Sequence, residues 1–330
     1  MTALYATIDK NRTDIIYEEN GMNIITITLN PAVDLHYSVD KITPLGYNEA
    51  KFLRRDSGGK GVNLSRALLA GGVKSTCYIT LGRIGAEEFL FPVREMGVDP
   101  TVTLVDGRAR ENINLMQRNG ETVIASVGPI ADERALSDME EKLLPLIDHD
   151  TVIVLAGSIS RGTDKYAVLQ RIVEFHRLGA RIAVDSKSFD LADIIPLSPY
   201  LIKPNEAEAE ALTGIEVTDV NSAVMAAVAI RDMGVESVLL SMGAGGAVLA
   251  ASSGVYVANA PKISPVSTVG AGDSTLAGFL AARSQGMDDA NALRLAVAFG
   301  SAACLEEGSM PPRAEVIERL TREICVKREM

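Results

Sequence analysis

The sequence predicts an α/β protein with a doubly wound, parallel core sheet covered by helices on both faces. Three observations predict it. Short, continuously apolar runs recur along the chain, as expected for strands buried on both faces of a parallel sheet. Segments with apolar spacing near the helical period alternate with those runs, which is what a doubly wound sheet requires. Two stretches break the rhythm, and they read as strand-rich excursions forming a small antiparallel sheet over one end of the core.

Residues 1–21 are polar and mixed in charge, without the apolar stretch of a secretory signal. They read as a flexible tail or an added edge segment. The patterned fold begins at residue 22 and continues as one domain to residue 330, because no repeat, low-complexity tract or linker divides it. Asn23-Ile-Ile-Thr-Ile-Thr-Leu29 is the first strand, stopped by Asn30-Pro31. Residues 35–55 hold Tyr37, Val39, Ile42 and Phe52 among turn formers, and form the first excursion. Residues 102–127 form the second, with Asn119-Gly120 as a hairpin signal. The spacing then predicts helices over 132–147, 163–178 and 222–233, the last two ending at Gly179 and Gly234. Between and after them stand Thr151-Val-Ile-Val-Leu155, Arg181-Ile-Ala-Val-Asp185, Tyr200-Leu-Ile202 and Val238-Leu-Leu-Ser241, all strands. Residues 273–282 read as an amphipathic helix.

Composition excludes several classes. With 47% hydrophobic and 23% charged residues the chain is an ordinary globular one. A net charge of −11 argues against nucleic acid or an anionic membrane as partner, and no apolar run is long enough to span a bilayer. Cys77, Cys304 and Cys325 are widely spaced and odd in number, so they read as buried thiols of a reducing cytoplasm rather than as a zinc site or disulfide framework. His176 continues the helical face Leu169, Ile172, Val173 and reads as a packed or half-exposed side chain.

Two glycine-rich motifs carry chemistry. In Ser267-Thr-Val-Gly-Ala-Gly-Asp273 the segment Gly270, Ala271, Gly272 can turn successive N–H groups into one concavity at a helix N-terminus, an anion site. Asp273 stands at its lip, either as a helix cap or as a base kept ionised by the positive helix end. In Ser57-Gly-Gly-Lys-Gly-Val-Asn-Leu-Ser-Arg66 the residues Gly58, Gly59 and Gly61 allow close backbone approach and Lys60 adds a cation, with Asn63 and Arg66 on the following helix. This reads as a cradle for phosphate or sugar hydroxyls. Neither a Walker A loop nor a dinucleotide-binding fingerprint is present.

Together, in this order and spacing, the two motifs resemble the signatures of the PfkB-type, ribokinase-like carbohydrate kinases, and the likeness runs from residue 22 to the C-terminus. Thr28-Leu-Asn-Pro-Ala-Val-Asp34 resembles the opening of the hexose-phosphate branch. The resemblance implies a three-layer α/β/α sandwich with a mostly parallel sheet and a small β lid. It implies an ATP- and Mg²⁺-dependent kinase acting on a ketohexose phosphate, with Asp273 as catalytic base and the backbone of Gly270, Ala271 and Gly272 as anion hole. Fructose 1-phosphate is the favoured acceptor, with tagatose 6-phosphate or fructose 6-phosphate as alternatives.

By the same resemblance Asp34, Gly58, Gly59, Lys60 and Asn63 contact the acceptor, and Arg110, Asn112 and Ser158 read its existing phosphate. Lys203, Asn205, Ser241, Gly243 and Gly246 line the ATP site. Asn205 and Glu208 orient magnesium, although their spacing is also that of a capping box, and both readings can hold together. Ala109 stands where the branch usually has threonine. Arg161, in a turn that departs from the family pattern, reads as a surface charge. A homodimer through the lid is allowed by family analogy.

Overall fold

The computed structural model describes residues 21–118 and 120–329. Residues 1–20 of the N-terminal segment, and Asn119 of the predicted hairpin turn, lie outside the described residues. The chain runs β1 (Asn23–Thr28), β2 (Ala32–Ser38), β3 (Lys51–Gly58), α1 (Lys60–Ala70), β4 (Thr76–Ile84), α2 (Ala86–Glu95) and β5 (Thr101–Arg108). It continues with β6 (Arg110–Gln117), β7 (Gly120–Ala125), α3 (Glu133–Leu143), β8 (Thr151–Ala156), α4 (Lys165–Arg177) and β9 (Arg181–Asp185). Next come α5 (Leu191–Ile194), β10 (Leu201–Ile202), α6 (Glu206–Thr213), α7 (Val220–Asp232), β11 (Ser237–Ser241), β12 (Ala247–Ala251) and β13 (Gly254–Ala258). Last are α8 (Ala271–Ser284), α9 (Asp289–Ala303), α10 (Ala314–Thr321) and β14 (Val326–Arg328).

The main sheet has the order β14-β13-β12-β11-β10-β9-β8-β1-β4-β5. From β11 to β5 neighbouring strands are parallel, whereas β12, β13 and β14 extend one edge by antiparallel pairing. Side chains alternate across each strand and so build two cores. Ile25, Ile153, Ile182 and Val238 face α3, α4 and α7. Ile24, Val152, Ala183 and Leu239 face α1, α8 and α9. A buried sheet between two helical layers is the predicted sandwich.

Helix boundaries follow local chemistry. Asp132 caps α3 by accepting from the Ala135 N–H, and Asp164 caps α4 by accepting from Tyr166 and Ala167. Gly179 and Gly234, at φ +109° and +112°, end α4 and α7 as predicted. His176 is half-buried, its Nδ1 3.0 Å from the Ala180 carbonyl.

Three expectations change. The helix at 273–282 is not amphipathic: every residue from Asp273 to Ala282 is buried, because α8 is packed between α1 and α9. Residues 101–108 belong to the main sheet as its edge strand β5, not to the lid. The lid is β3-β2-β6-β7, starting already at Ala32, with β2 and β6 parallel and the other pairs antiparallel. Of the three cysteines only Cys77 is buried; Cys304 is half-buried and Cys325 exposed.

Candidate active site

The carboxyl ends of parallel strands leave a crevice where their connections part, and ligands bind there in open α/β sheets. Here that crevice gathers the ends of β1, β8, β9, β10 and β11, the N-termini of α1 and α8, and the inner residues of the lid. It brings together residues from opposite ends of the sequence: the Asn63 Nδ2 donates to Asp273 Oδ2 at 2.9 Å, across 210 positions.

Gly270 takes the left-handed conformation (φ +76°, ψ −2°) immediately before α8. That single reversal tips the first turn so that the Gly272 and Asp273 N–H groups, which have no intrahelical acceptor, open into the crevice. A Cβ on Gly272 would meet the Lys203 Nζ at 3.3 Å, so the bare backbone lets that ammonium lie beside the turn. Asp273 is 7% exposed. Burial first, and the charge of Asp185 second, push its carboxyl up to about 6, against the Asn63 hydrogen bond and the two nearby lysines. The sequence expectation is a base kept ionised by the helix end; a carboxyl at about 6 is still mostly ionised at neutral pH, although burial and Asp185 work against that end. Desolvation and a like charge outweigh the helix dipole, and the group is poised close to neutrality.

Asp185, the last residue of β9, was not singled out by sequence. It is 4% exposed and accepts from the Lys60 Nζ at 2.6 Å, with the Lys203 Nζ at 3.5 Å. Burial raises its carboxyl, but Lys203 and Lys60 more than reverse that and hold it below the ordinary range. Burial likewise opposes the Lys60 ammonium, and Asp185 overrides it, raising the Lys60 pKa. Lys60 therefore stands between Asp185 and Asp273 rather than free in a phosphate cradle. The signal was available in the sequence: a charged residue closing an apolar strand at the carboxyl edge of the sheet.

On the lid side, Asp34 on β2 lies opposite Asn112 on β6, whose Nδ2 donates to Asp34 Oδ1 at 2.8 Å. Burial raises the Asp34 carboxyl and the Asn112 bond works against it. A Cβ on Gly58 would stand 2.7 Å from Asp34 Oδ2, and Gly59, at φ +139°, turns the chain into α1. The Arg110 Nε donates to the Ser126 carbonyl at 3.1 Å, and among the described residues no carboxylate pairs with this guanidinium. Ser158 accepts from the Asn30 Nδ2 at 3.2 Å.

Five buried oxygens without a protein partner surround this cradle: Thr28 Oγ1, Asn30 Oδ1, Ser57 Oγ, Asn63 Oδ1 and Asn112 Oδ1. Buried polar atoms are normally paired, so five unpartnered acceptors in this one region are an unusual concentration.

On the nucleotide side, Asn205 and Glu208 form the capping box of α6: Asn205 Oδ1 accepts from the Glu208 N–H at 2.9 Å, and Glu208 Oε2 from the Asn205 N–H at 3.0 Å. Their remaining outward oxygen, Glu208 Oε1, lies 3.4 Å from the exposed Lys187. Ser241 ends β11 and bridges to Asn205. Gly243, at φ +51°, is exposed, with open space where a side chain would stand. Gly246 differs: a Cβ there would lie 2.0 Å from the Ala258 carbonyl, so this glycine is required for close packing of backbone on β13. Arg161 is exposed, as expected for a surface charge.

The family model for pfkB carbohydrate kinases matches residues 25–315. The chain belongs to that family, and is accordingly an enzyme that transfers a phosphoryl group to an alcohol acceptor. Among the curated proteins it is 34% identical over 307 residues to a 1-phosphofructokinase of Bacillus subtilis, covering 92% of this chain and 99% of that one. It is 30% identical to the 1-phosphofructokinase of Escherichia coli K12, covering 85% and 90%. Among solved structures it superposes on phosphofructokinase-2 from Escherichia coli in complex with substrates and products, with a TM-score of 0.84 and 25% identity over 91% of this chain and 99% of that one.

Proposed function

We propose that this enzyme transfers the γ-phosphoryl group of ATP to the 6-hydroxyl of fructose 1-phosphate, giving fructose 1,6-bisphosphate and ADP. The observation that carries the reading is the Asn63–Asp273 contact, which sets one buried carboxyl between the hydroxyl-seeking cradle and the anion-seeking turn. The name 1-phosphofructokinase, borne by curated relatives over most of the chain, supports this acceptor among the ketohexose phosphates.

The acceptor enters under the lid. Its hydroxyls meet Asp34, Asn63 and the orphaned oxygens around Gly58 and Gly59, while Arg110, Asn112 and Ser158 receive the phosphate it already carries. ATP lies along the sheet edge past Lys203, Ser241 and Gly243, with its γ-phosphate over Gly270, Ala271 and Gly272. Asp273 takes the proton of the attacking hydroxyl as the new oxygen–phosphorus bond forms and the bond to the β,γ-bridging oxygen breaks. Lys60, next to both carboxylates, together with the N–H groups of the turn, stabilises the charge on the phosphoryl oxygens. Closure of the lid keeps water from competing with the sugar hydroxyl.

The donors on the nucleotide side fit magnesium in a hydrated form. Glu208 offers one outward oxygen, and a hard cation that keeps most of its waters needs little more from the protein. Asn205 acts by fixing Glu208, since its own oxygen is engaged in the cap. Bound there with the nucleotide, magnesium would neutralise charge on the β- and γ-phosphates.

The test of the reading is ADP formation with fructose 1-phosphate, fructose 6-phosphate, tagatose 6-phosphate and unphosphorylated fructose. The highest kcat/KM is expected for fructose 1-phosphate and the lowest for fructose. Preference for the unphosphorylated sugar would overturn the roles given to Arg110 and Ser158.

The lid also suggests a homodimer. Val123 and Ile124 are neighbours on β7, so they point to opposite faces, yet they are 55% and 54% exposed. An edge strand that leaves both faces open gains by meeting a second copy. Light scattering should give twice the chain mass, and Ile124→Asp should reduce it; a monomeric wild type would refute the lid contact.

A further inference from the structure

No step assigned above uses Asn30, yet its side chain sits where the segments that follow β1, β7 and β8 meet. Its Nδ2 donates to the Ser158 Oγ at 3.2 Å. Its Oδ1 is buried and has no hydrogen-bond partner. A Cβ built on Gly128, in the link from lid strand β7 to α3, would stand 2.1 Å from that oxygen and 3.5 Å from the Arg110 Cβ. The Asn30 amide thus fills the place where a side chain at 128 would stand. Gly128 is itself buried and held, its carbonyl accepting from the Ser160 Oγ at 2.6 Å.

These surroundings decide which way the amide faces. The Gly128 Cα hydrogen that a Cβ would replace points at the Asn30 oxygen, a weak but attractive contact. With the amide turned over, its NH2 would meet that hydrogen and become a buried donor without an acceptor, which is costly. The NH2 therefore belongs on Ser158. A serine hydroxyl has one hydrogen and two lone pairs. Having accepted from Asn30, the Ser158 Oγ must aim its hydrogen elsewhere, and among the described residues no protein group accepts it. Ser158 is exposed, and the preceding Gly157 borders the acceptor cradle: a Cβ there would lie 3.7 Å from the Lys60 Cβ.

We propose that Asn30 is a positioning residue for acceptor specificity, which by donating to Ser158 holds that serine as a hydrogen-bond donor toward the phosphate the acceptor already carries. Phosphate oxygens accept hydrogen bonds, and a donor aimed in advance suits them best. A sugar hydroxyl in the same place can donate as well as accept, so it gains less from a fixed donor. The same amide, packed on Gly128, keeps the β7–α3 link in place beside Arg110, the other group assigned to that phosphate. One side chain thereby sets two of the phosphate's contacts without touching the phosphate.

This inference rests on the ketohexose-phosphate reading, which the wild-type preference for fructose 1-phosphate over fructose in kcat/KM tests by itself. The experiment measures that preference in wild type, Asn30→Ala, Ser158→Ala and Gly128→Ala, and in the two double variants that contain Asn30→Ala. Ser158→Ala should cut the preference about tenfold to a hundredfold, as for a hydrogen bond to a charged group. Asn30→Ala leaves the serine in place but free to turn, and should cut it about threefold to tenfold. Adding Asn30→Ala to Ser158→Ala should cost nothing more, because the amide acts through the hydroxyl. Gly128→Ala displaces the amide without removing it, so it should reduce the preference as Asn30→Ala does. That effect should vanish in the Asn30→Ala background, where the space is free. Should Asn30→Ala fail to fold, Gly128→Ala carries the same test. Equal losses on both sugars, leaving the preference at its wild-type value, would make Asn30 a structural residue and overturn the proposal. A further loss on adding Asn30→Ala to Ser158→Ala would overturn it as well. A wild type without preference for the phosphorylated sugar would overturn the reading beneath it, and this inference with it.

Discussion

Asp273→Asn is expected to lower kcat by about two to four orders of magnitude, the usual size of a general-base contribution. The amide keeps the shape of the carboxyl and can still meet Asn63 after rotation, so ATP affinity should change little. The wild-type rate should also carry the signature of this group. Its carboxyl is pushed up to about 6 by burial and by Asp185, and only the ionised form accepts a proton. kcat/KM should therefore fall about tenfold for each pH unit below that value and level off above it. The variant should lack this acidic limb.

Stability should move in the other direction. A carboxyl whose pKa is higher in the folded than in the unfolded state binds its proton better when folded. Its contribution is most favourable below the unfolded value of 3.8 and is lost as pH rises through about 6. At neutral pH the folded protein thus carries a buried charge that Asn would not. Asp273→Asn should melt no lower than wild type at pH 7 while being almost inactive, which separates loss of chemistry from loss of fold.

Asp185→Asn should have the largest effect on stability. It removes the one carboxylate shared by Lys60 and Lys203 and leaves the Lys203 ammonium, 5% exposed, without its counter-charge. Breaking a buried pair from one side typically costs about 3–5 kcal/mol. The pH dependence has the opposite sign to that of Asp273. The Asp185 carboxyl is held below its ordinary value, so its contribution is full above pH 3.8 and is lost as pH falls through the lower folded value. Urea unfolding at neutral pH and at pH values below 3.8 measures it: the difference between wild type and variant should persist from neutral pH down to 3.8 and shrink only below that. Removing the Asp185 charge also takes away one cause of the high Asp273 pKa, so the acidic limb of the variant's residual activity should shift below about 6. An unchanged urea midpoint would mean that the two lysines have other partners.

Much of this was legible in the residues. The apolar runs closing at Leu29, Asp185 and Ser241 placed the strands because burial on both faces leaves no alternation to misread. Gly179 and Gly234 marked helix ends because only glycine takes those dihedrals at no cost. The two glycine motifs located the site because bare backbone is needed on both sides of a phosphoryl transfer. Other features depended on distance in space. The Asp273 pKa could not be read from its own helix, since it is set first by burial among the elements packed around it and then by Asp185, brought in from strand β9. Lys60 looked like a free cation until β9 supplied its partner. Residues 101–108 joined the main sheet because β4 offered them a parallel edge, which no local pattern announces. The helix beginning at Asp273 seemed amphipathic because its Ser, Thr and Gly residues read as an exposed face, when they let α8 pack closely against its neighbours.

The most direct measurement is phosphorus NMR of the products formed from ATP and fructose 1-phosphate. Transfer to the 6-hydroxyl predicts ADP and fructose 1,6-bisphosphate in equal amounts, with no accumulation of inorganic phosphate and no reaction in Asp273→Asn on the same timescale. ADP with inorganic phosphate and unchanged fructose 1-phosphate, or bisphosphate formed as fast by Asp273→Asn as by wild type, would contradict it.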